Sequence, residues 1–544
     1  MSKKPKKASP LTVTGVIIAL VTFISIGFAL SACGGALHKQ DQEGPSDRQE
    51  HSPADRNAVP VTSKTTLTVS SNSDPKNLYP LSSDGRNSMR ICLQIFDRLV
   101  DHNEAGDRYL PALAESWEED EKGITFQIRK GVKFHDGQAL TATDVVFSLK
   151  LAGNLPTANG GWGWINWDGI TAPDDFTVLV PFHYPCSLTL PQFASNNIMI
   201  ICEETYNEFG GEISQHPNGT GPFKVSDWIH DDHVTMIRFE DYWGDKPAIE
   251  TLIIRYISEN SQAIIELETG GVDLVMDVPP IEVKDLFESD DFKIIECTGV
   301  VNDSIHMNVT KDVFKDVRVR QAVAYAVSQE DFFMGTYRGF GQIAYSVVSP
   351  GVRGYNNAYE GENWPYSTSS EIEKARALLA EAGYPDGFDV NIEIDNDSNR
   401  QSVAEILKNN LAKAGINVNI IIQDFATVNE KIATNEAAMW LFGINSLSFE
   451  PDRALYTRYH SSNIGGSNHT RYNNPEFDRL LDEARASYDA DERIDLHKKA
   501  QDILTLECPS IPYYARQNIY AAVKNLEGLQ SYGDAALLKN CYFR

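Results

Sequence analysis

The chain of 544 residues lacks the short signatures that announce a catalytic centre. It has no HExxH pair for a zinc hydrolase, no GxSxG nucleophile elbow, no Walker phosphate loop and no CxxC. Triads are assembled in space rather than in sequence, so these absences weigh against an enzyme without excluding one. Basic residues are also scarce, 48 against 76 acids, for a net charge of −28. Proteins that grip nucleic acid or anionic phosphate surfaces carry the opposite balance, so no nucleic-acid partner is expected. No repeat of solenoid period occurs. The seven cysteines are widely spaced, which speaks against a zinc ribbon or a thioredoxin-like pair. Past Cys33 they are Cys92, Cys186, Cys202, Cys297, Cys508 and Cys541. Their spacing is compatible both with extracellular disulfides and with scattered buried thiols.

The amino terminus is where apolar residues concentrate. Lys3, Lys4, Lys6 and Lys7 precede a nearly unbroken apolar run from Leu11 to Leu30, with no acid. A basic segment, an apolar segment and small residues describe a secretory signal. A permanent anchor is the alternative, since the run nearly spans a bilayer. Leu30-Ser31-Ala32-Cys33 favours the signal, because it resembles the lipobox of bacterial lipoproteins. That resemblance implies a diacylglycerol on the Cys33 sulfur, a nucleophilic thiol, and cleavage just before it. Residues 1–32 would then be the signal peptide, and their loss takes four lysines and no acid, leaving −32. Residues 33–64 are rich in Gln, Asp, Glu, Ser and Pro and read as a disordered tether. The expected location is the outer face of the bacterial cytoplasmic membrane.

Folded structure is expected from about Thr65, where Leu67-Thr68-Val69 alternates like a strand. The rest is long enough for two or three domains. Strands are predicted at Thr125–Ile128, Thr177–Val180, Val234–Ile237 and Leu252–Ile254. Asp316 is placed to cap a helix that buries Val319, Ala322, Val323, Ala326 and Val327. Ser370 and Glu373 form a capping-box pattern for a helix with Ala375, Leu378, Leu379 and Ala382, stopped by Gly383 and Pro385. Val390–Ile394, Val403–Ala414 and Ile416–Ile422 have the order and length of a parallel strand–helix–strand crossover. Asn474-Pro475 opens a helix with Phe477, Leu480, Leu481 and Ala484 on one face. The fold class is α/β with mixed sheets.

His230-Asp231-Asp232-His233 and His135-Asp136-Gly137 read as turns rather than metal sites. Aromatic residues are more suggestive. Gly160-Gly161-Trp162-Gly163-Trp164, with Trp167, sets indoles in a glycine-rich loop. Trp440-Leu441-Phe442-Gly443 ends a strand and leads into Asn445 and Ser446. Aromatic walls beside a few polar groups suit a ligand cleft, and they equally suit a core or a domain contact.

Several longer stretches belong together. They are LPALAESWEEDEKGITFQIRKGVKFHDGQALTATDVVFSL (110–149), GTGPFKVSDW (219–228), DYWGDKPAIETLIIRYI (241–257), GGVDLV (270–275), FKDVRVRQAVAYAV (314–327), ARALLAEAGYPDG (375–387) and NHTRYNNPEFDRLLDEAR (468–485). In this order they resemble the family 5 extracellular solute-binding proteins, which serve ABC importers of peptides, dipeptides and nickel. The resemblance implies a two-lobed, three-domain, periplasmic-binding-protein-like fold that closes on ligand. Domain I would comprise 65–90, 217–300 and 508–544, domain II 91–216 and domain III 301–507. It implies a monomer without cofactor or metal that hands its solute to ABC permease subunits. It also implies ligand contacts at Tyr79 and Asn308; Arg400, which opens a helix after a strand, is placed to meet a ligand carboxylate or to stand exposed, and Trp440, Gly443, Asn445, Ser446 and Trp164 are expected contacts from the aromatic segments. Oligopeptides are the expected ligand. A non-peptide solute, nickel, or a peptide-signal sensor without transport are the alternatives. One feature departs from the peptide-binding pattern. The position four before Pro451, where an aspartate would hold the peptide ammonium, is Leu447. Glu450 or Asp452 would have to substitute, or backbone and apolar contacts would hold the ligand.

Overall fold

In this computed structural model the described residues are 64–544, except 82–85, 104–107, 156–161, 196–197, 279–289, 447–448 and 534. The predicted signal peptide, Cys33, the tether up to residue 63, Gly160, Gly161 and Leu447 lie outside them.

The chain opens with β1 (Thr66–Ser71), where the alternation of Leu67 and Val69 places a strand. A short pair follows, β2 (Val100–His102) and β3 (Tyr109–Pro111). Next comes an antiparallel sheet of β4 (Ala114–Asp120), β5 (Gly123–Ile128), β6 (Thr171–Asp174) and β7 (Thr177–Pro181), ordered β4-β5-β7-β6. The remaining long strands join β1 in one sheet. They are β8 (Phe223–Ile229), β9 (His233–Arg238), β10 (Thr251–Tyr256), β11 (Leu274–Val275), β12 (Phe292–Met307), β13 (Phe388–Ile394), β14 (Ile416–Ile422), β15 (Met439–Asn445) and β16 (Ser510–Val523). Their order is β14-β13-β15-β12-β16-β11-β1-β10-β9-β8.

Two of these strands explain the architecture. β12 has 16 residues and β16 has 14, against about 5–6 for a typical strand. They pair antiparallel from Phe292↔Val523 to His306↔Ser510, so they run through both halves of the sheet. The register slips between Thr298 and Asn302. On one side of the slip Leu67, Phe126, Phe193 and Leu252 fill a core with Tyr520 and Phe543. On the other, Ile305, Phe314, Leu407 and Leu441 fill a second core with Tyr513. The molecule is therefore two lobes joined by β12 and β16.

Local signals explain most elements. Asp316 accepts the Arg318 N–H at 2.9 Å and starts the helix Val317–Ala326. Asn474 accepts the Glu476 N–H at 2.9 Å, and Pro475 opens a helix that buries Phe477, Leu480, Leu481 and Ala484. β13 and β14 are parallel, with the helix Ser398–Lys413 between them. Gly221 has a packing role: a Cβ there would lie 2.6 Å from the Ile95 carbonyl carbon. The predicted capping box at Ser370 does not form. The Glu371 N–H is taken by the Tyr325 carbonyl at 2.7 Å, so Glu371 is the cap and the helix runs Ile372–Glu381. Cys92, Cys186, Cys202, Cys508 and Cys541 are buried free thiols, as the second reading of the cysteine spacing allowed.

Candidate functional site

The polar centre of the molecule lies at the crossing of the long strands. Asp303 sits just past the register slip in β12 and is buried. Arg516 reaches it from β16, donating from Nε to Oδ2 and from Nη2 to Oδ1, both at 2.6 Å. The adjacent carboxylate holds the guanidinium firmly in its charged form, against the opposing effect of burial. This bidentate geometry uses two of the five N–H donors of an arginine. The Arg516 side chain remains 40% exposed. Its other donors stay available to a ligand.

Gly443 stands directly opposite Asp303 in the β12–β15 ladder. A Cβ there would come within 2.8 Å of Val301 Cγ1, 3.0 Å of Asp303 Oδ1 and 3.2 Å of Arg516 Nη2. Glycine is what lets the ion pair lie flat against the strand. Tyr514, two residues before Arg516, stacks on Tyr337 at 3.5 Å between centroids and 4° between planes. Arg400, near the start of the helix Ser398–Lys413, pairs with Asp395 and lies 5.3 Å from the centre of the Phe442 ring. Its Nε is buried without a hydrogen-bond partner among the described residues.

These groups line one side of an open cleft. A compartment of ≈ 170 Å³ is bordered by Asp303, Tyr337, Arg400, Tyr514 and Arg516. It adjoins a larger one of ≈ 470 Å³. Arg86, Val278, Asn399, Gln517 and Ile519 border both. Asp277, on the larger compartment, is held by Arg90 at 2.6 Å and Arg86 at 3.2 Å. Burial opposes its charge, but these two arginines keep its carboxyl below the usual range. Asp397 caps the helix, accepting the Arg400 N–H at 2.9 Å. Asp277 and Asp303 on the cleft, and Asp395 behind Arg400, each face an arginine, while Asp397 borders the smaller compartment without an ion pair among the described residues.

Asp452 is fully committed, receiving both Nε and Nη2 of Arg485, at 2.8 and 2.9 Å. Glu450 is less so: it is buried with Oε1 3.4 Å from Arg493, and its Oε2 has no hydrogen-bond partner among the described residues. Burial raises the Glu450 pKa, and Arg493 opposes that only in part.

The expected contact residues separate into two groups. Arg400 and Gly443 border the Asp303–Arg516 site. Trp440 is buried, stacked on His306 at 5.5 Å, and lines a smaller cavity on the other face of β15. Asn445 accepts a hydrogen bond from Arg453 Nε at 2.9 Å. Ser446 is buried at the crossing, donates its N–H to the Val300 carbonyl at 3.0 Å, and its Oγ has no partner among the described residues. The other three stand elsewhere. Trp164 is fully buried in the first core, donates to Thr189 Oγ1 at 3.2 Å, and does not line the cleft. Asn308 is fully buried, its amide bonded to Asn435 and Ala437 and its oxygen to Thr310, so it organises the turn after β12. Tyr79 packs against the first core, 6.4 Å from the Tyr206 ring. Asp303, Arg516, Tyr337, Tyr514 and Arg86 were not anticipated. A signal for Arg516 exists, since it is a lone charge within the buried run Ile511–Ala522.

Two lobes that share one sheet through two long strands, with a polar cleft at their crossing, define the architecture of a two-lobed solute-binding protein. Residues 108–466 match the model of the bacterial extracellular solute-binding proteins, family 5 (middle), and the chain belongs to this family. It is 31% identical over 449 residues to Heme-binding protein A of Haemophilus influenzae, covering 77% of this chain and 81% of that protein. It is 27% identical over 478 residues to the Dipeptide-binding protein of Escherichia coli, covering 82% and 88%. Among solved structures it resembles the periplasmic binding protein DppA from Helicobacter pylori in complex with the peptide STSA. That match has a TM-score of 0.74 at 26% identity and covers 88% of this chain and 98% of that one. These relatives are binding proteins, not enzymes. Among the described residues no helix is long and apolar enough to cross a membrane.

Proposed function

We propose that this protein captures short peptides between its lobes and delivers them to the permease of an ABC importer, held at the membrane by a lipid on Cys33. The observation that carries the reading is the Arg516 guanidinium, fixed by Asp303 yet 40% exposed at the lobe crossing. Spare N–H donors in a rigid fork suit a carboxylate, the charged group that free peptides share at the C-terminus. Arg400, on the same compartment, doubles that preference. Asp277, Asp303, Asp395 and Asp452 are each taken by an arginine, so the amino end of the peptide turns to Asp397, which borders the same compartment and has no ion pair among the described residues. Carbonyl oxygens and aromatic faces complete the site, which tolerates many sequences. A dipeptide-binding relative and a peptide-bound structural neighbour support the choice of peptide over other solutes.

Closure of the lobes about β12 and β16 would then bring Arg86 and Val278 of one lobe onto a ligand lying against Arg400 and Tyr337 of the other. The test is to purify the protein, denature it gently, and identify the released small molecules by mass spectrometry. A ladder of short peptides supports the reading. A single non-peptide compound or a metal overturns the peptide part and leaves the receptor. Cys33→Ser is expected to abolish lipidation, read by mass, while peptide binding stays within about twofold, because the cleft residues described above all come from beyond residue 85.

A further inference from the structure

The chain carries 76 acidic residues against 48 basic ones, yet the larger compartment of the cleft reverses that balance. Its charged borders among the described residues are Arg86 and Arg338 against Asp277. Asp277 is itself shared by two arginines, Arg86 at 3.2 Å and Arg90 at 2.6 Å. Arg338 makes no ion pair among the described residues. The compartment is therefore locally positive inside an acidic molecule.

The two arginines come from different lobes. Arg86 opens the helix Arg86–Ile95, which enters the first core through Ile91, Cys92 and Ile95. Arg338 follows the helix Gln329–Gly335, whose Phe332 belongs to the second core. The turn that carries Arg338 is fixed on both sides. Its φ is +55°, a left-handed conformation uncommon outside glycine, asparagine and aspartate. Such conformations persist where the surroundings over-determine them, and they concentrate at ligand clamps. Here Tyr337 is stacked on Tyr514 just before the turn. Just after it, Phe340 packs against Ala263, Ile264, Leu267 and Ile519 of the first lobe. The Gln342 carbonyl then accepts the Ala515 N–H of β16 at 2.9 Å.

Closure of the lobes narrows this compartment and drives water out. Two guanidiniums brought together from opposite lobes then repel more strongly, because like charges are less screened in a drier setting. A carboxylate between them reverses the sign, and each planar fork suits it. At ≈ 470 Å³ the compartment has room for a side chain with water, and Asn260, Ser398 and Asn399 add neutral hydrogen-bonding groups. It shares Arg86, Val278 and Gln517 with the compartment of Arg516, so one ligand reaches both.

We propose that the larger compartment is an anion subsite completed by closure, in which Arg86 and Arg338 take the carboxylate of an acidic side chain on the captured peptide. The inference rests on the peptide reading above and deepens it. With its C-terminal carboxylate at Arg516, the preferred peptide carries a glutamate or aspartate whose side chain reaches the larger compartment. A peptide without that acid leaves the two arginines opposed and closes the lobes less well.

The test titrates the full-length protein by calorimetry with Glu-Ala-Ala, Ala-Glu-Ala and Ala-Ala-Glu and with their glutamine counterparts. At one of these positions glutamate is expected to bind at least tenfold more tightly than glutamine. Arg338→Asn removes the charge while suiting the left-handed turn, and should cut that preference at least fivefold. Arg338→Lys should keep part of it. A cooperative thermal transition shows that each variant is folded. A preference below tenfold at every position overturns the inference while the peptide reading survives. A cut smaller than fivefold in Arg338→Asn overturns it too. Failure of every peptide to bind overturns the peptide reading, and the inference falls with it.

Discussion

Arg516 and Arg458 stand near opposite faces of β15, and they differ in what holds them. Arg516 is clamped by a buried aspartate in a two-point bond. Arg458 has hydroxyls and an aromatic wall beside it and no acid among the described residues. A paired arginine is pre-aimed, so it presents its remaining donors at little further cost in order. An unpaired one has no such anchor. Paired arginines should therefore be parts of the folded state, and unpaired ones should matter less to it.

The sharpest way to break this contrast is to remove an arginine whose acid is fully enclosed. Arg485→Ala leaves Asp452 buried and alone, and should cost about 3–5 kcal/mol of unfolding free energy, measured by urea denaturation. A loss below 1 kcal/mol would mean that pairing is not structural here. Arg516→Ala comes next. It strips the carboxylate-holding donors from the cleft and leaves Asp303 facing the ligand. Peptide affinity should fall by about 2–4 kcal/mol, roughly 30- to 1,000-fold, with Arg516→Lys in between, as calorimetry would show.

Acid should expose a third difference. Burial pushes the pKa of His135, His469 and His497 down to about 4, and that of His306 to about 3. In the unfolded chain these rings take up protons near their ordinary value, about 6.5. Between pH 6.5 and 4 the unfolded state thus binds more protons, so stability is full above 6.5 and falls as pH drops through that window. Glu119, raised to about 7 by burial, acts in the opposite sense over part of the range. His102, held down to about 4 in the same way, joins these four, and together they outweigh Glu119 with Glu450 and Asp97, whose carboxyls burial also raises, so the urea midpoint at pH 5 should lie below that at pH 7.5. An equal or higher midpoint would contradict this. The smallest effect belongs to Arg458→Met, whose unfolding free energy should stay within about 1 kcal/mol of the parent.

Much of the fold could be read from the sequence because its signals are local. Asp316, Asn474 with Pro475, and the β13–helix–β14 unit each act within a few residues or one crossover. The cleft was read less well. Asp303 and Arg516 are 213 residues apart, and only the β12–β16 register brings them together. Gly443 and Arg400 could be singled out from the sequence because they lie close to strand and helix ends, and they border the Asp303–Arg516 pair. Trp164 misled because an indole in a glycine-rich loop looks alike whether it faces a ligand or fills a core. Asn308 misled because a strand-end asparagine can serve its own turn as well as a cleft.

The long strand β16 also bears on how the chain comes to be folded. The core that begins at Leu67 and Val69 is closed by Tyr520, Ala522, Leu526, Ala536, Leu538, Cys541 and Phe543. The core around Leu407 draws nothing from beyond Tyr514. Domains generally fold as units while the chain emerges, the earliest first. Here the order is inverted. The lobe built from the earliest residues waits for the last ones to be made, while the later lobe has its own core in hand. A chain that stops short of residue 520 would therefore harm its beginning more than its middle.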